Sequence, residues 1–168
     1  MHFELRPVRP SDLDSLVEVA DNPNIAANMT DRFPHPYTRE AGEAFLQFCM
    51  KNTPANILAI DVDGKMVGAI GIHPEEDVYR KNAEMGYWLG EPYWGKGIVT
   101  RAVKQMVDYA FEHFDLVRIY ARPYGYNLAS KRILEKCGFQ LEAKFEKTVF
   151  KNGELLDQYL FGIRRPEV

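Results

Sequence analysis

The sequence predicts one α/β domain built on a mixed sheet. Three observations predict it. Strand-like stretches with period-two alternation or short apolar runs recur along the chain, interleaved with segments of helical spacing. Two dipeptides, Asp63-Gly64 and Asn152-Gly153, stand between such stretches where hairpins turn. A strand, helix and strand also follow one another from Asn82 to Arg122, the pattern of a β-α-β unit. The expected order is β-α-α-β-β-β-α-β-α-β-β, with about seven mostly antiparallel strands and about four helices.

Phe3, Leu5 and Val8 suggest a short first strand. Pro10-Ser11 opens a helix in which Ser11 and Asp14 have capping-box spacing, and Leu13, Leu16, Val17 and Ala20 form its apolar stripe. Asn22–Tyr37 reads as loop, with Ile25 and Met29 marking a helical turn. Thr38 is the expected N-cap of a second helix through about Met50, with Ala41, Ala44, Phe45 and Phe48 facing inward. Asn56–Val62 and Lys65–Ile72 form a hairpin around Asp63-Gly64. Asn82–Leu89 is the next strand, and Ile98–Phe114 a helix whose Val99, Ala102, Val103, Met106, Ala110 and Phe114 keep helical spacing. Leu116–Arg122 is a strand stopped by Pro123. Asn127 caps a short helix through Lys136, and Gly138 fits its C′ position. Phe139, Leu141, Ala143 and Phe145 alternate into a last hairpin that returns as Leu155–Ile163.

Composition narrows the function classes. At 168 residues the chain can bury a core without a metal or disulfide staple. Its net charge of −3 and lack of a basic run argue against nucleic acid and anionic membrane as partners. No apolar run is long enough for a signal peptide or a span, so the expected location is the cytoplasm. Cys49 and Cys137 read as buried free thiols of a reducing compartment. His2, His35, His73 and His113 show no metal-ligand spacing, and no metal is expected.

The most informative stretch is Trp94-Gly95-Lys96-Gly97-Ile98-Val99-Thr100, between a strand and a long amphipathic helix. Glycines let the backbone approach a pyrophosphate and turn N–H groups toward it, and the helix start adds partial positive charge. Lys96 adds a full charge at the rim. A Walker loop, G-x-x-x-x-G-K-S/T, would place lysine and hydroxyl elsewhere. A dinucleotide fingerprint would need glycine where Thr100 stands and would normally sit at the first strand. On spacing alone, a plain helix-start turn that binds nothing stays open.

Nearly the whole chain, however, resembles the GCN5-related N-acetyltransferases (GNAT), and within them the RimJ/RimL-like branch. The carriers are Leu5-Arg6-Pro7 with Ser11-Asp12, Pro36-Tyr37-Thr38, Ala83–Leu89, Tyr93–Ala102, Asn127–Ser130, Lys136–Phe139 and Asn152-Gly153. The resemblance implies a sheet splayed open at its centre with acetyl-CoA in the gap. The family loop, Gln/Arg-x-x-Gly-x-Gly/Ala, maps onto Trp94, Gly97 and Val99, with Gly95 a frequent extra glycine. Val99 and Arg101 depart from the pattern: a side chain replaces Gly/Ala, and arginine stands where the branch often has glutamate. The cofactor-binding group implied is Trp88, Leu89, Trp94, Gly95, Lys96, Gly97, Ile98, Val99, Thr100 and Asn127, with backbone N–H groups near Trp88 and Leu89 as donors to the acetyl carbonyl and pantetheine.

Acetyl transfer to an amine needs a base, donors to the developing oxyanion and stabilisation of the leaving thiolate. Glu84 is the base candidate, at a position where several family members carry a catalytic glutamate; the competing reading is a salt-bridged strand residue. Alternation puts Glu84, Gly86 and Trp88 on one face. The tyrosine that many members use as acid maps to Leu134, which cannot donate. Ser130 matches the serine proposed as donor in the RimJ/RimL-like branch. The expected activity is an acetyl-CoA-dependent N-acetyltransferase, by direct attack in a ternary complex, on a primary amine: a protein N-terminus of the ribosomal type, or a small molecule. The alternative is a non-catalytic acyl-CoA-binding module. A monomer or homodimer of the single domain 1–168 fits either.

Overall fold

The structure, a computed structural model, describes residues 1–166. Five helices and seven strands follow in the order β1 (Glu4–Pro7), α1 (Leu13–Ala20), α2 (Pro23–Ala26), α3 (Arg39–Cys49), β2 (Ile57–Val62), β3 (Lys65–Pro74), β4 (Asn82–Leu89), α4 (Ile98–His113), β5 (Arg118–Ala121), α5 (Leu128–Lys136), β6 (Gln140–Lys151) and β7 (Glu154–Arg164). The order is the expected one, with the helical turn at Ile25 counted as α2. The hydrogen-bonded strand order is β1-β2-β3-β4-β5-β7-β6. β4 and β5 run parallel, as a crossover through α4 requires, and the β1–β2, β2–β3, β5–β7 and β6–β7 pairs are antiparallel. The chain divides into two compact units, one of Met1–Gly71 with Tyr87–Ala102, the other of Ile72–Gly86 with residue 103 onward.

In the first unit, β2 is buried at every position and β3 over most of its length. Asp63 and Gly64 both carry positive φ, 53° and 82°, as the type I′ turn between these strands requires. Helices α1 and α3 pack beside them around Leu16, Ala20, Leu46 and Cys49. The face of α3 differs from the expected one. Gly42, Leu46 and Cys49 are buried, whereas Ala44 is exposed and Phe48 keeps 48% of its surface. The reason is Gly42. A Cβ there would meet Val17 at 2.9 Å and Leu13 at 3.0 Å, so a missing side chain sets the contact line. Thr38 caps α3 as expected, its Oγ1 accepting from the Ala41 N–H at 3.1 Å.

The start of α1 also differs. Its approach is a 3-10 turn over Pro10–Asp12, and the Asp12 carboxylate, not Ser11 or Asp14, takes the Arg9 N–H at 2.9 Å. Asp12 is committed further. It receives two bonds from the Arg6 guanidinium, at 2.7 and 3.0 Å, while Arg6 Nε reaches Asp61 at 2.6 Å. All three side chains are largely buried, so one cation between two carboxylates ties β1, β2 and the entry to α1 together. Burial alone would raise the Asp12 pKa; the Arg6 bonds and the Arg9 N–H bring it below the ordinary carboxylate value.

In the second unit, the parallel pairing of β4 with β5 runs from Asn82 opposite Arg118 to Glu84 opposite Tyr120. Ile119, Ala121, Leu134 and Phe161 are buried here. Helix α5 is bounded by purely local chemistry. Asn127 Oδ1 accepts from the Ser130 N–H at 3.2 Å. At the other end Gly138, φ 89°, closes a Schellman motif: Phe139 N–H to the Leu134 carbonyl at 3.0 Å, Gly138 N–H to Glu135 at 3.1 Å. The β6–β7 hairpin turns at Asn152-Gly153, both with positive φ. Its alternation does not bury a face: Leu141, Phe145, Phe150 and Leu155 are exposed. Register shifts between Leu141 and Ala143 and between Phe145 and Val149 break the period-two order that would have kept them on one side.

Candidate acetyl-CoA site

The glycine loop lies in the first unit. β4 ends at Leu89, and the Gly90 N–H donates to the Val67 carbonyl of β3 at 2.7 Å. A 3-10 turn over Glu91–Tyr93 follows. It is held from outside by Asn22 and Asn24, whose side-chain amides each donate to Glu91 Oε1 at 2.9 Å. Those bonds lower the pKa of Glu91. Trp94 then folds back, its indole N–H reaching the Leu89 carbonyl at 2.7 Å, and Lys96 Nζ donates to the Pro92 carbonyl at 3.1 Å. The loop is thus stapled to its own strand before it meets the helix.

Gly95 and Gly97 adopt φ of 73° and 74°, the left-handed region that side chains avoid. A Cβ on either would touch nothing within 4 Å. Their role is therefore conformational rather than steric, and the space above them is open to a ligand. The first intrahelical bond of α4 runs from the Arg101 N–H to the Gly97 carbonyl at 3.2 Å, so the amides of Ile98 and Val99 stand ahead of it. Sixteen residues of helix lie behind this turn, and their dipole favours an anion at its start. The turn forms with Val99 in place, half-buried at the second helical position.

Arg101, the second departure, has a task of its own. Its guanidinium donates to the Met1 carbonyl at 2.7 Å and lies 4.9 Å from the Phe3 ring centroid. It fastens the N-terminal segment to α4. Leu89 and Trp88 are both buried where β4 ends. Gly68 on β3 allows this: a Cβ there would stand 2.4 Å from the Trp88 carbonyl oxygen.

Glu84, Asn127 and Ser130 belong to the second unit. Glu84 is salt-bridged, with Arg122 Nε at 2.7 Å from one carboxylate oxygen and Nη2 at 3.0 Å from the other. Sequence reasoning missed Arg122, because its register against β4 is set by the parallel pairing and leaves no local signal. The same polar face carries a second pair, the Tyr120 hydroxyl donating to Glu75 Oε1 at 2.6 Å. Burial, then this bond, pushes the Tyr120 pKa up. The Glu75 N–H donates to the Asn82 carbonyl at 2.9 Å, and that antiparallel register sets His73 opposite Glu84. Packing around the ring lowers the His73 pKa, Glu84 pulls it back up, and the residue as a whole is still exposed at the surface.

Asn127 and Ser130 are joined by the cap of α5, and Ser130 is 9% exposed. Leu134 is fully buried, a core residue one turn further on. Neither cysteine offers a nucleophile of lowered pKa. Burial pushes the Cys49 thiol up to about 12 and raises that of Cys137. No helix among the described residues is long and apolar enough to cross a membrane.

Comparison with known proteins supplies what geometry alone leaves open. The family model described as "Acetyltransferase (GNAT) domain" matches residues 2–140. Among curated relatives, the "Putative ribosomal N-acetyltransferase YdaF" of Bacillus subtilis is 27% identical over 180 residues, covering 99% of this chain and 93% of that protein. The spermidine N(1)-acetyltransferase of Escherichia coli is 27% identical over 157 residues, covering 90% of this chain and 80% of that one. Among solved structures, the RimL ribosomal alpha-N-protein acetyltransferase in complex with coenzyme A superposes with a TM-score of 0.85 at 20% identity, over 96% of this chain and 93% of that chain. The helix start preceded by two left-handed glycines agrees with the match over most of the chain: the protein belongs to the GNAT family and is an acetyl-CoA-dependent N-acetyltransferase.

Proposed function

We propose that the protein acetylates a primary amine by direct attack on acetyl-CoA in a ternary complex, and that the amine is a protein N-terminus of the ribosomal type. The observation that carries the cofactor half is the pair of left-handed glycines heading α4, with open space above both. In this reading the loop from Trp94 to Thr100 seats the pyrophosphate, and Asn127 contacts pantetheine while capping α5. The amides near Trp88 and Leu89 face the acetyl carbonyl. Direct attack is supported by the thiols: Cys49, held at about 12, supplies no thiolate at neutral pH for an acyl-cysteine intermediate.

Glu84 receives the amine proton, directly or through a water. Both its oxygens are engaged by Arg122, so a proton arriving there displaces one of those bonds. Ser130 supports the leaving thiolate. The preference for a protein α-amine rests on the ribosomal relative matched over 99% of this chain; the spermidine enzyme, at equal identity over 90%, keeps polyamines in the panel. One domain spanning the chain, acting in the cytoplasm, suffices for this chemistry.

The burial of Leu134 favours a second reading, an acyl-CoA-binding module, because the position of the commoner acid is spent on the core. A thiol-release assay decides. Acetyl-CoA is offered with spermidine and with peptides bearing a free α-amine. Turnover with a peptide and not with spermidine is the expected result. Saturable acetyl-CoA binding without turnover of any amine establishes the module instead. Glu84→Gln should lower kcat by roughly 10²–10⁴-fold if Glu84 is the base; an unchanged rate across pH removes that role.

A further inference from the structure

The chain has two tryptophans, and the structure treats their N–H groups differently. The Trp94 indole finds the Leu89 carbonyl at 2.7 Å. The Trp88 indole N–H is sealed from solvent, in a residue only 6% exposed, and no protein group accepts a bond from it; among the described residues it is the one such buried side-chain atom. Leaving a buried donor unpaired is unfavourable, and a native exception asks for a reason. Trp88 belongs to the apolar cluster of Leu16, Ile25, Tyr37, Cys49 and their neighbours, with Met29 packed against it. Around it the only polar side-chain groups of the cluster are the Tyr37 hydroxyl and the Cys49 thiol, and neither accepts the bond. The half-exposed Phe33 ring meets the indole in a T-shaped arrangement at 5.5 Å between centroids. A π face is at best a weak acceptor.

We propose that the Trp88 N–H donates to a carbonyl oxygen of a bound substrate, which makes Trp88 a further substrate-binding residue of the acetyl-transfer reaction. This rests on the N-acetyltransferase reading above. The chemistry of the ligand group follows from the nest. An ammonium has no lone pair to accept the bond. A carboxylate or phosphate would enter an apolar cluster without a cation to balance it. An uncharged carbonyl fits both the donor and the surroundings. Three carbonyls qualify: the thioester, a pantetheine amide, and the first amide of a peptide acceptor. Phe33 lies on the irregular segment between α2 and α3, where Pro34 and Pro36 preclude regular structure, and its displacement admits the oxygen.

The indole proton reports directly. In proton–nitrogen NMR spectra the protein shows two indole resonances, and Trp94→Phe assigns them. Acetyl-CoA binding is established first by calorimetry. A downfield shift of the Trp88 proton with acetyl-CoA but not with CoA supports the proposal and identifies the thioester carbonyl. A shift with both supports it through pantetheine. A shift only when a peptide with a free α-amine joins the CoA complex, and not when spermidine does, supports it through the acceptor. Trp88→Phe should then weaken the ligand concerned roughly 2- to 10-fold, the loss of one neutral hydrogen bond. Bound acetyl-CoA with no shift in any arm overturns the proposal and leaves the transferase reading intact. So does a resonance already far downfield in the free protein and unmoved by ligand. Failure of acetyl-CoA to bind defeats the reading beneath, and the proposal with it.

Discussion

Alanine at Gly97 separates conformation from contact. The φ of Gly97 is 74°, and nothing lies within 4 Å of an added Cβ. Alanine therefore meets no clash, and its whole penalty is the left-handed backbone, about 1–2 kcal/mol. In the free protein the exposed loop can relax to negative φ and escape that penalty. In the complex it cannot if, as proposed, the loop amides face the pyrophosphate. The cost should then appear in affinity: acetyl-CoA binding weakened roughly 5- to 30-fold, with a melting temperature lowered by less than about 4 °C. Gly95→Ala, at φ 73°, should behave alike. The control is Gly64→Ala, at φ 82° in the β2–β3 turn and equally free of neighbours. That turn is part of the fold, so its penalty should lower stability and leave affinity alone. Calorimetric titration and thermal melts of the three variants make the comparison. If Gly95→Ala and Gly97→Ala bind acetyl-CoA as tightly as the parent, the loop does not seat the pyrophosphate.

Other consequences are of stability and of mixed type. Arg6→Met strands two buried carboxylates and should cost about 3–5 kcal/mol, read as a fall of roughly 6–20 °C in melting temperature. Because Asp12 has a lowered pKa, its contribution is present above the ordinary carboxylate range and is lost as pH falls through the folded value; Asp12→Asn should flatten the acid limb of a stability–pH curve. Gly68→Ala pushes a Cβ to 2.4 Å from the Trp88 carbonyl and should destabilise by about 1–3 kcal/mol in urea unfolding. Asn127→Ala removes the α5 cap, at about 0.5–2 kcal/mol, whereas Asn127→Ser restores stability; if the Ser variant still raises KM for acetyl-CoA, the asparagine contacts the cofactor as well.

Much of the fold was legible because its signals are local. β4 begins and ends where expected, and α5 is bracketed by Asn127 and Gly138 through bonds that span three to five residues. The face of α3 was not legible, since a stripe that begins with a glycine is invisible to hydrophobicity. The β6–β7 hairpin misled for a related reason: two register shifts undo the alternation that its sequence displays. In the site, the glycine loop was legible and the partner of Glu84 was not. Arg122 reaches Glu84 across 38 residues, through a parallel register that only the assembled sheet defines.

The two departures from the family pattern that the structure explains bear on different halves of the reaction. The Arg101 guanidinium bridges the Met1 carbonyl at 2.7 Å and the Gly97 carbonyl at 3.3 Å and lies over Phe3, so the exchange of a frequent glutamate for arginine ties the N-terminal segment to the loop and leaves the turn at Gly95 and Gly97 in shape. Leu134 is absorbed by the core, and under the proposed mechanism that exchange bears on the chemistry, because the side chain there has no proton to donate. In the proposed mechanism the compensating group is Ser130, one turn away. Ser130 has its N–H tied to Asn127, which fixes the first turn of α5 and with it the place of the hydroxyl. A hydroxyl so placed can lower the energy of a departing thiolate by donating a bond without surrendering a proton, since a thiolate is already stable enough near neutral pH to leave unprotonated. The loss of a tyrosine at Leu134 is therefore compatible with turnover, provided that the cap which positions Ser130 is intact.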